Sequence, residues 1–400
     1  MAKVKIQGHA SGTGILTVTA PNTDVNRTIT LPDATGTLLN SDGSGASLTS
    51  LPITGLRPSA KPIIINGDMQ VAQRGTSFSH ADENSAKRPV DRLILNTGSI
   101  GEYTSIQESL TSGAAFEAGF KKAARIDCTT AVASPDAGDY FYAEYKIEAQ
   151  DCLAFKKGTS AAETMTVAFW VKSNKTGTGQ LNVRENDNDR MCSGTYAISV
   201  ADTWEHKVIN IAADTSGAMN NDNGLGYSFE FWLGSGSNTT SGAAPTAWET
   251  RAGGDRNAAG TLNINDNTAN DWAITGLQVE VGTYTSATLP PFQFESYGDN
   301  LARCMRYFYS YDAEHTDIEG YATTATYLRF FFEFPTEMRT TPTSTGSLTG
   351  IVSGVRSGDT PETPTGLTAY NFCLQGRPSS TTRMYQRGQA GDVFEFDAEL

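Results

Sequence analysis

Two segments alternate apolar and other residues so strictly that an extended strand is the one regular structure that suits them. In Tyr227-Ser228-Phe229-Glu230-Phe231-Trp232-Leu233, the side chains of Tyr227, Phe229, Phe231 and Leu233 fall on one side of an extended chain. In Met165-Thr166-Val167-Ala168-Phe169-Trp170-Val171, the residues Met165, Val167, Phe169 and Val171 do the same. A helix would scatter these side chains around its axis. An aromatic side of this kind must be buried against a second layer. Trp170 and Trp232 lie opposite the aligned sides and are expected to line a concave sheet. Further strands are expected at 122–127, 140–147, 206–211 and 272–281, with Gly/Asn/Asp/Ser turns between them. No βαβ alternation occurs, so the fold class is mainly β, with a jelly-roll β-sandwich over residues 61–295.

The flanks read differently. Residues 1–60 carry no Phe, Trp or Tyr and are rich in Gly, Thr, Ser and Pro. Short alternating pieces occur in Ile15-Leu16-Thr17-Val18-Thr19-Ala20, Arg27-Thr28-Ile29-Thr30-Leu31 and Gly36-Thr37-Leu38-Leu39, with turns at Pro21-Asn22 and Pro32-Asp33. Such pieces cannot build a core alone and need other copies of the chain or a docking surface. They are expected to form an extended N-terminal β anchor, followed by a flexible linker at 40–47. After the sandwich, residues 295–306 carry a helix signal, with Ser296 as cap and Leu301, Cys304, Met305 and Phe308 at helical spacing. A small C-terminal β-domain follows, with strands expected at 306–311, 327–334, 367–374, 384–387 and 393–396, and long loops in 335–366. The domains are therefore 1–60, 61–295 and 296–400.

Charge narrows the function. Charged residues make up 18% of the chain and the net charge is −14, whereas an ordinary soluble domain carries about 25% charged residues. Nucleic-acid backbones demand clustered Lys and Arg, so no nucleic acid is expected as a partner. The same charge disfavours anionic lipid, and no apolar run approaches a membrane span, so no membrane insertion is expected. Met1-Ala2-Lys3 is not followed by an apolar stretch, so synthesis in a cytoplasm without a signal peptide is expected. The five cysteines form no CxxC pair and are expected to be buried free thiols.

Catalytic constellations are not visible. There is no nucleophile elbow, HExxH or phosphate loop, and Gly224-Leu225-Gly226 is a lone GxG that reads as a turn. No β-helix repeat marks a glycan-degrading spike. The chain is expected not to be an enzyme. The acidic-amide runs Asn186-Asp187-Asn188-Asp189 and Asn220-Asn221-Asp222-Asn223 offer oxygen ligands but read as solvated turns. Aromatic rings stack on the apolar faces of sugars, and Trp204, Trp248 and Tyr284 lie near loops, which makes them candidate glycan platforms.

Three groups of residues carry a resemblance. The first is Gly14-Ile15-Leu16-Thr17-Val18-Thr19-Ala20-Pro21 with Arg27-Thr28-Ile29-Thr30-Leu31-Pro32-Asp33-Ala34-Thr35-Gly36-Thr37-Leu38. The second is Ile65-Asn66-Gly67-Asp68-Met69-Gln70-Val71-Ala72-Gln73-Arg74-Gly75 with Val90-Asp91-Arg92. The third is Ile274-Thr275-Gly276-Leu277-Gln278-Val279-Glu280-Val281-Gly282, then Pro291-Phe292-Gln293-Phe294-Glu295-Ser296-Tyr297-Gly298 and Leu301-Ala302-Arg303-Cys304-Met305-Arg306-Tyr307-Phe308. Together they resemble bacteriophage tail-fibre and virion fibre proteins, and the last two resemble the ends of a jelly roll similar to carbohydrate-binding modules. The likeness covers about residues 10–40 and the two ends of 61–309. Leu93 departs from it, standing where the family often has Trp, and suggests a repacked core position.

The resemblance implies a virion location and a homotrimer whose residues 1–60 dock on other virion proteins. Its outer domains would face a host cell-surface glycan or protein. It also implies a structural calcium near the module ends, with Asp68 and Glu280 as the candidate ligands; no other cofactor is expected. The alternatives are a purely structural head fibre, decoration or adaptor protein, and a glycan-degrading tailspike.

Overall fold

The computed structural model describes residues 61–80, 87–312, 317–324, 327–345, 364–376, 383–387 and 393–400. The N-terminal strands and linker expected within 1–60 lie outside the described residues. The described chain is mainly β, with sheets built from antiparallel pairs.

A six-stranded sheet runs in the order β1 (Ser77–His80), β4 (Glu102–Ser109), β5 (Lys122–Thr130), β13 (Asp271–Val281), β7 (Met165–Lys172) and β10 (Glu205–Ile211). A seven-stranded sheet runs β12 (Glu249–Thr250), β9 (Arg190–Ile198), β8 (Gly177–Glu185), β11 (Leu225–Ser235), β6 (Tyr140–Glu148), β3 (Leu93–Gly98) and β2 (Lys87–Val90). The aligned sides of β7 and β11 face each other, as their alternation predicts. Phe169 of β7 meets Phe231 of β11 edge-on at 5.0 Å and Tyr196 of β9 at 5.1 Å. Such contacts stabilise a sandwich by about 0.5–1.5 kcal/mol each beyond the area they bury. Leu93 is buried in this core.

The ends of the sandwich are tied by the motif residues. Asn66 is buried in a left-handed turn, φ 58°, and its amide group donates to the carbonyls of Val71 and Asp91 at 2.9 Å each. Asn300 accepts the main-chain N–H of Asn66 at 3.0 Å. Strand β13 breaks its pairing with β7 between Thr275 and Gln278, where Gly276 takes φ 62°. The freed N–H of Leu277 donates to the Gly67 carbonyl at 2.9 Å. A Cβ at Gly67 would collide with the Leu277 carbonyl oxygen, so only glycine lets the two segments meet.

A four-residue helix, α1 (Ala114–Glu117), crosses between β4 and β5, and a second helix, α2 (Tyr297–Met305), follows the sandwich. Ser296 caps α2, its hydroxyl accepting from the Asp299 N–H as the cap signal predicts. The helix buries Cys304, with Tyr307 just beyond it, against Ile65 and Val71.

Among the described residues, a three-stranded sheet then runs β14 (Phe308–Asp312), β21 (Val393–Asp397) and β17 (Thr343–Thr345). A five-stranded sheet runs β18 (Pro364–Thr365), β19 (Asn371–Gly376), β16 (Tyr327–Glu333), β15 (Asp317–Thr324) and β20 (Arg383–Arg387). Phe334, Met338, Phe394 and Phe396 form a core for this region. The C-terminal residues return to the sandwich, where Glu399 pairs with Arg92 and, at 3.4 Å each, with Arg74 and Arg88.

Candidate functional site

The outer side of the seven-stranded sheet is set by register. Because paired residues share a face, Gln180, Trp232, Tyr142 and Asn96 form one row across β8, β11, β6 and β3. Asn182, Glu230, Glu144 and Ile94 form the next row. These are the alternate residues of the same strands whose other side fills the core. These two rows hold two facing carboxylates, Glu230 and Glu144, two aromatic rings, Trp232 and Tyr142, and three amides.

Part of the face is sealed by the loop after β12. The Asp255 carbonyl accepts from Gln180 at 2.8 Å and the Arg256 carbonyl from Asn182 at 2.7 Å. The Arg256 guanidinium lies 4.7 Å from the Trp232 ring and 5.1 Å from the Tyr142 ring, and pairs with Glu230 at 3.1 Å. Burial pulls this guanidinium pKa down, but Glu230 and Tyr142 more than offset it and leave it above its ordinary value. Trp232 is fully buried in consequence, with its indole N–H donating to Glu230 at 3.1 Å.

The rest of the face is open. Tyr140, Tyr142, Asn96 and Lys146 are partly exposed around the carboxylate of Glu144. Tyr142 stacks on Trp232 at 4.8 Å with 24° between planes, and Tyr140 lies 5.9 Å from Tyr142. Asn96 donates to Glu144 at 2.9 Å, and the Lys146 ammonium stands 3.7 Å from the same carboxylate. Lys146 is held in turn by the Leu400 carbonyl at 3.0 Å. Burial pushes the Glu144 carboxyl up, Lys146 pulls it down, and the like charge of Glu230 pushes it up again, leaving it above the usual range. Burial, with both carboxylates nearby, pushes the Tyr142 hydroxyl up to about 12, so it stays a neutral donor. Gly98 pairs with Tyr140, and a Cβ there would lie 2.6 Å from the ring. The missing side chain lets Tyr140 lie flat across β3.

Such a face can stack an apolar ring side on Tyr142 and Tyr140 while Asn96 and Lys146, both held by the buried Glu144 carboxylate, bond hydroxyls around it. Sequence reasoning placed β6 but did not assign its outward residues. The signal was present: Tyr140, Tyr142, Glu144 and Lys146 are the alternate positions of a strand whose other side is apolar.

The residues singled out from sequence lie elsewhere. Trp204 is buried beside Leu110 and Phe120 on the outer side of the six-stranded sheet, with the Lys172 ammonium 5.4 Å from its ring. Trp248 is half-buried, its ring 5.9 Å from Tyr227 and its indole N–H donating to the Ala212 carbonyl at 2.6 Å. Tyr284 is half-buried, and its carbonyl accepts from Asn210 at 3.0 Å. Trp248 and Tyr284 thus sit near the end of β10, and Trp204 just before its start. Trp170 and Trp232 were expected to line one concave sheet, but they belong to different sheets with opposite outward sides. Trp170 stands 5.0 Å from His206.

Asp68 accepts from Asn300 at 3.2 Å, and burial pushes its carboxyl above the usual range. Glu280 accepts from Gln278 at 3.0 Å. The two carboxylates are thus engaged by different amides, and among the described residues no group of three or more His, Cys, Asp or Glu is placed to share a cation. The two acidic-amide runs meet, Asp187 accepting from the main chain and side chain of Asn220 at 2.8 and 2.9 Å. Beneath them the buried Lys157 ammonium lies 3.4 Å from both Glu185 and Asp214 and donates to the carbonyls of Ser216 and Gly217. Cys128, Cys152, Cys192 and Cys304 are buried free thiols.

No family model and no curated protein matches the chain. Solved structures do. One is a domain of tailspike protein 4 of bacteriophage CBA120, 10% identical, covering 55% of this chain and 21% of its own, with a TM-score of 0.25. The chain therefore spans about a fifth of that tailspike structure. Another is the TmCBM61 module in complex with β-1,4-galactotriose, 11% identical, covering 56% of this chain and 99% of its own, with a TM-score of 0.25. A third is a family 11 carbohydrate-binding module of a Clostridium thermocellum cellulosomal cellulase, 10% identical, covering 56% and 96%, with a TM-score of 0.25.

Proposed function

We propose that this chain is the fibre subunit of a phage virion and that it binds host-surface glycan through the face at Tyr142. One observation carries the binding reading. Tyr142 is partly exposed, stacked at 4.8 Å on a buried Trp232, and flanked by the amide of Asn96 and the carboxylate of Glu144. A rigid aromatic ring backed by a second ring, with polar groups at its edge, suits a sugar better than it suits a flat protein partner. The fibre reading rests on the ordered residue groups at 14–38, 65–92 and 274–308.

In this reading residues 1–60 anchor the chain on the particle and three copies assemble. A single site of this size binds weakly, and three copies on one fibre multiply that affinity by holding the second and third sites close. Binding, not bond cleavage, is the role. Asp68 and Glu280 stay expectations for calcium that come from the resemblance alone.

The test is binding of purified, fluorescently labelled protein to bacterial cells treated either with periodate, which oxidises glycans, or with protease. Loss after periodate alone, together with at least about tenfold weaker binding by Tyr142→Ala, is the expected result. Binding that survives periodate and is lost after protease would replace the glycan by a protein receptor. Shortened polysaccharide products after incubation would show a spike enzyme instead.

A further inference from the structure

We infer that Arg256 is a fixed end-stop that limits the Tyr142 face to the last one or two residues of a glycan chain. The inference rests on the glycan reading above and deepens it. The face holds two partly exposed rings, Tyr140 and Tyr142 at 5.9 Å, and Tyr142 is stacked at 4.8 Å on Trp232, which backs it. Tyr140 and Tyr142 each offer one stacking place. Beyond them the protein closes the face itself: the Arg256 guanidinium lies 4.7 Å from Trp232 and 5.1 Å from Tyr142, and the indole, covered by Arg256 and by the stacked Tyr142 ring, has no exposed surface.

Arg256 is not held like a mobile lid. Its guanidinium pairs with Glu230 at 3.1 Å, and Glu230 also accepts from Trp232 and Asn182. The backbone around it is pinned at three points. Gln180 donates to the Asp255 carbonyl at 2.8 Å, Asn182 donates to the Arg256 carbonyl at 2.7 Å, and the Ala259 N–H donates to Gln180 at 2.9 Å. Lifting the side chain would strand Glu230 as an unpaired buried charge, which is costly. A saccharide stacked on Tyr142 can therefore run toward Tyr140 and Asn96, but meets Arg256 in the direction of Trp232. A site closed on one side accepts a chain end and rejects a chain interior.

The test compares binding of mono- to pentasaccharides of β-1,4-linked glucose and of β-1,4-linked galactose by titration calorimetry. Wild-type affinity is expected to stop rising at the disaccharide. Arg256→Ala combined with Glu230→Gln avoids the unpaired carboxylate and removes the stop. A thermal melt of this double variant verifies its fold. Its affinity is expected to rise about two- to tenfold from disaccharide to trisaccharide. Wild-type affinity that climbs through the pentasaccharide, or a folded double variant with the wild-type length profile, overturns the end-stop and leaves the glycan reading standing. If neither series binds either protein, the inference falls, and the periodate test then decides whether the glycan reading falls with it.

Discussion

Asn300 accepts the main-chain N–H of Asn66 at 3.0 Å across 234 residues of sequence. The same side chain donates to Asp68 at 3.2 Å, so one amide on α2 serves the turn that opens the sandwich. This contact ties the residue groups at 65–75 and 295–308 to each other: each supplies a partner that the other's buried polar atoms need. Asn300→Ala leaves the Asn66 N–H buried without its acceptor, at a cost of about 1–3 kcal/mol. Chemical denaturation should show that loss of stability, while an unchanged midpoint would mean water replaces the amide without penalty.

A larger loss is expected at Lys157. Its ammonium is buried with Glu185 and Asp214 at 3.4 Å each. Lys157→Met removes a charge from a buried cluster and leaves a carboxylate uncompensated, which costs about 3–5 kcal/mol. The melting temperature should fall sharply for this variant, whereas Lys156→Met, at an exposed pair with Glu163, should change it little. Equal melting temperatures for the two variants would contradict the buried-network account.

Acid should loosen the C-terminal residues. Burial raises the Glu399 carboxyl pKa, but Arg92, Arg88 and Arg74 lower it more, so it lies below its ordinary value of 4.5. A depressed carboxyl contributes stability that is present above 4.5 and is lost as the pH falls through the depressed value. Stability of the wild type should therefore drop as the pH is lowered below 4.5, and Glu399→Gln should flatten that part of the profile. Parallel acid profiles for the two proteins would show that Glu399 is not the titrating group.

Gly98 gives a local test of the binding face. A side chain there would strike the Tyr140 ring at 2.6 Å. Gly98→Val suits an extended strand, so the fold should persist while Tyr140 is pushed off the face. Glycan affinity should fall roughly three- to tenfold, as for loss of one ring contact. Wild-type affinity in a folded Gly98→Val variant would remove Tyr140 from the site.

Much of the sandwich was legible because the period-two signal is strong where one side of a strand is fully apolar. Strands β7, β11 and β13 match their alternation, and α2 matches its cap. Strands β3, β4, β8 and β9 were missed, and the last two are the hardest to read. Their outward residues Gln180, Asn182 and Ser193 are polar yet buried beneath the 253–260 loop, and Gly194 interrupts the pattern, so neither side reads cleanly. The site was harder still. Trp232 is polar-facing in the alternation but sealed by Arg256, a contact across 24 residues that no local pattern announces. Loop aromatics such as Trp248 looked available, yet its indole N–H is bound to the Ala212 carbonyl.

The most direct test of the account is a hydrogen-exchange footprint of the full chain with and without a glycan fraction from cells that bind it. Protection should concentrate on strands β6 and β3, at Tyr140–Glu148 and Leu93–Gly98. Protection confined to the outer side of the six-stranded sheet around Trp170 and Trp204, or to residues beyond 312, would contradict it.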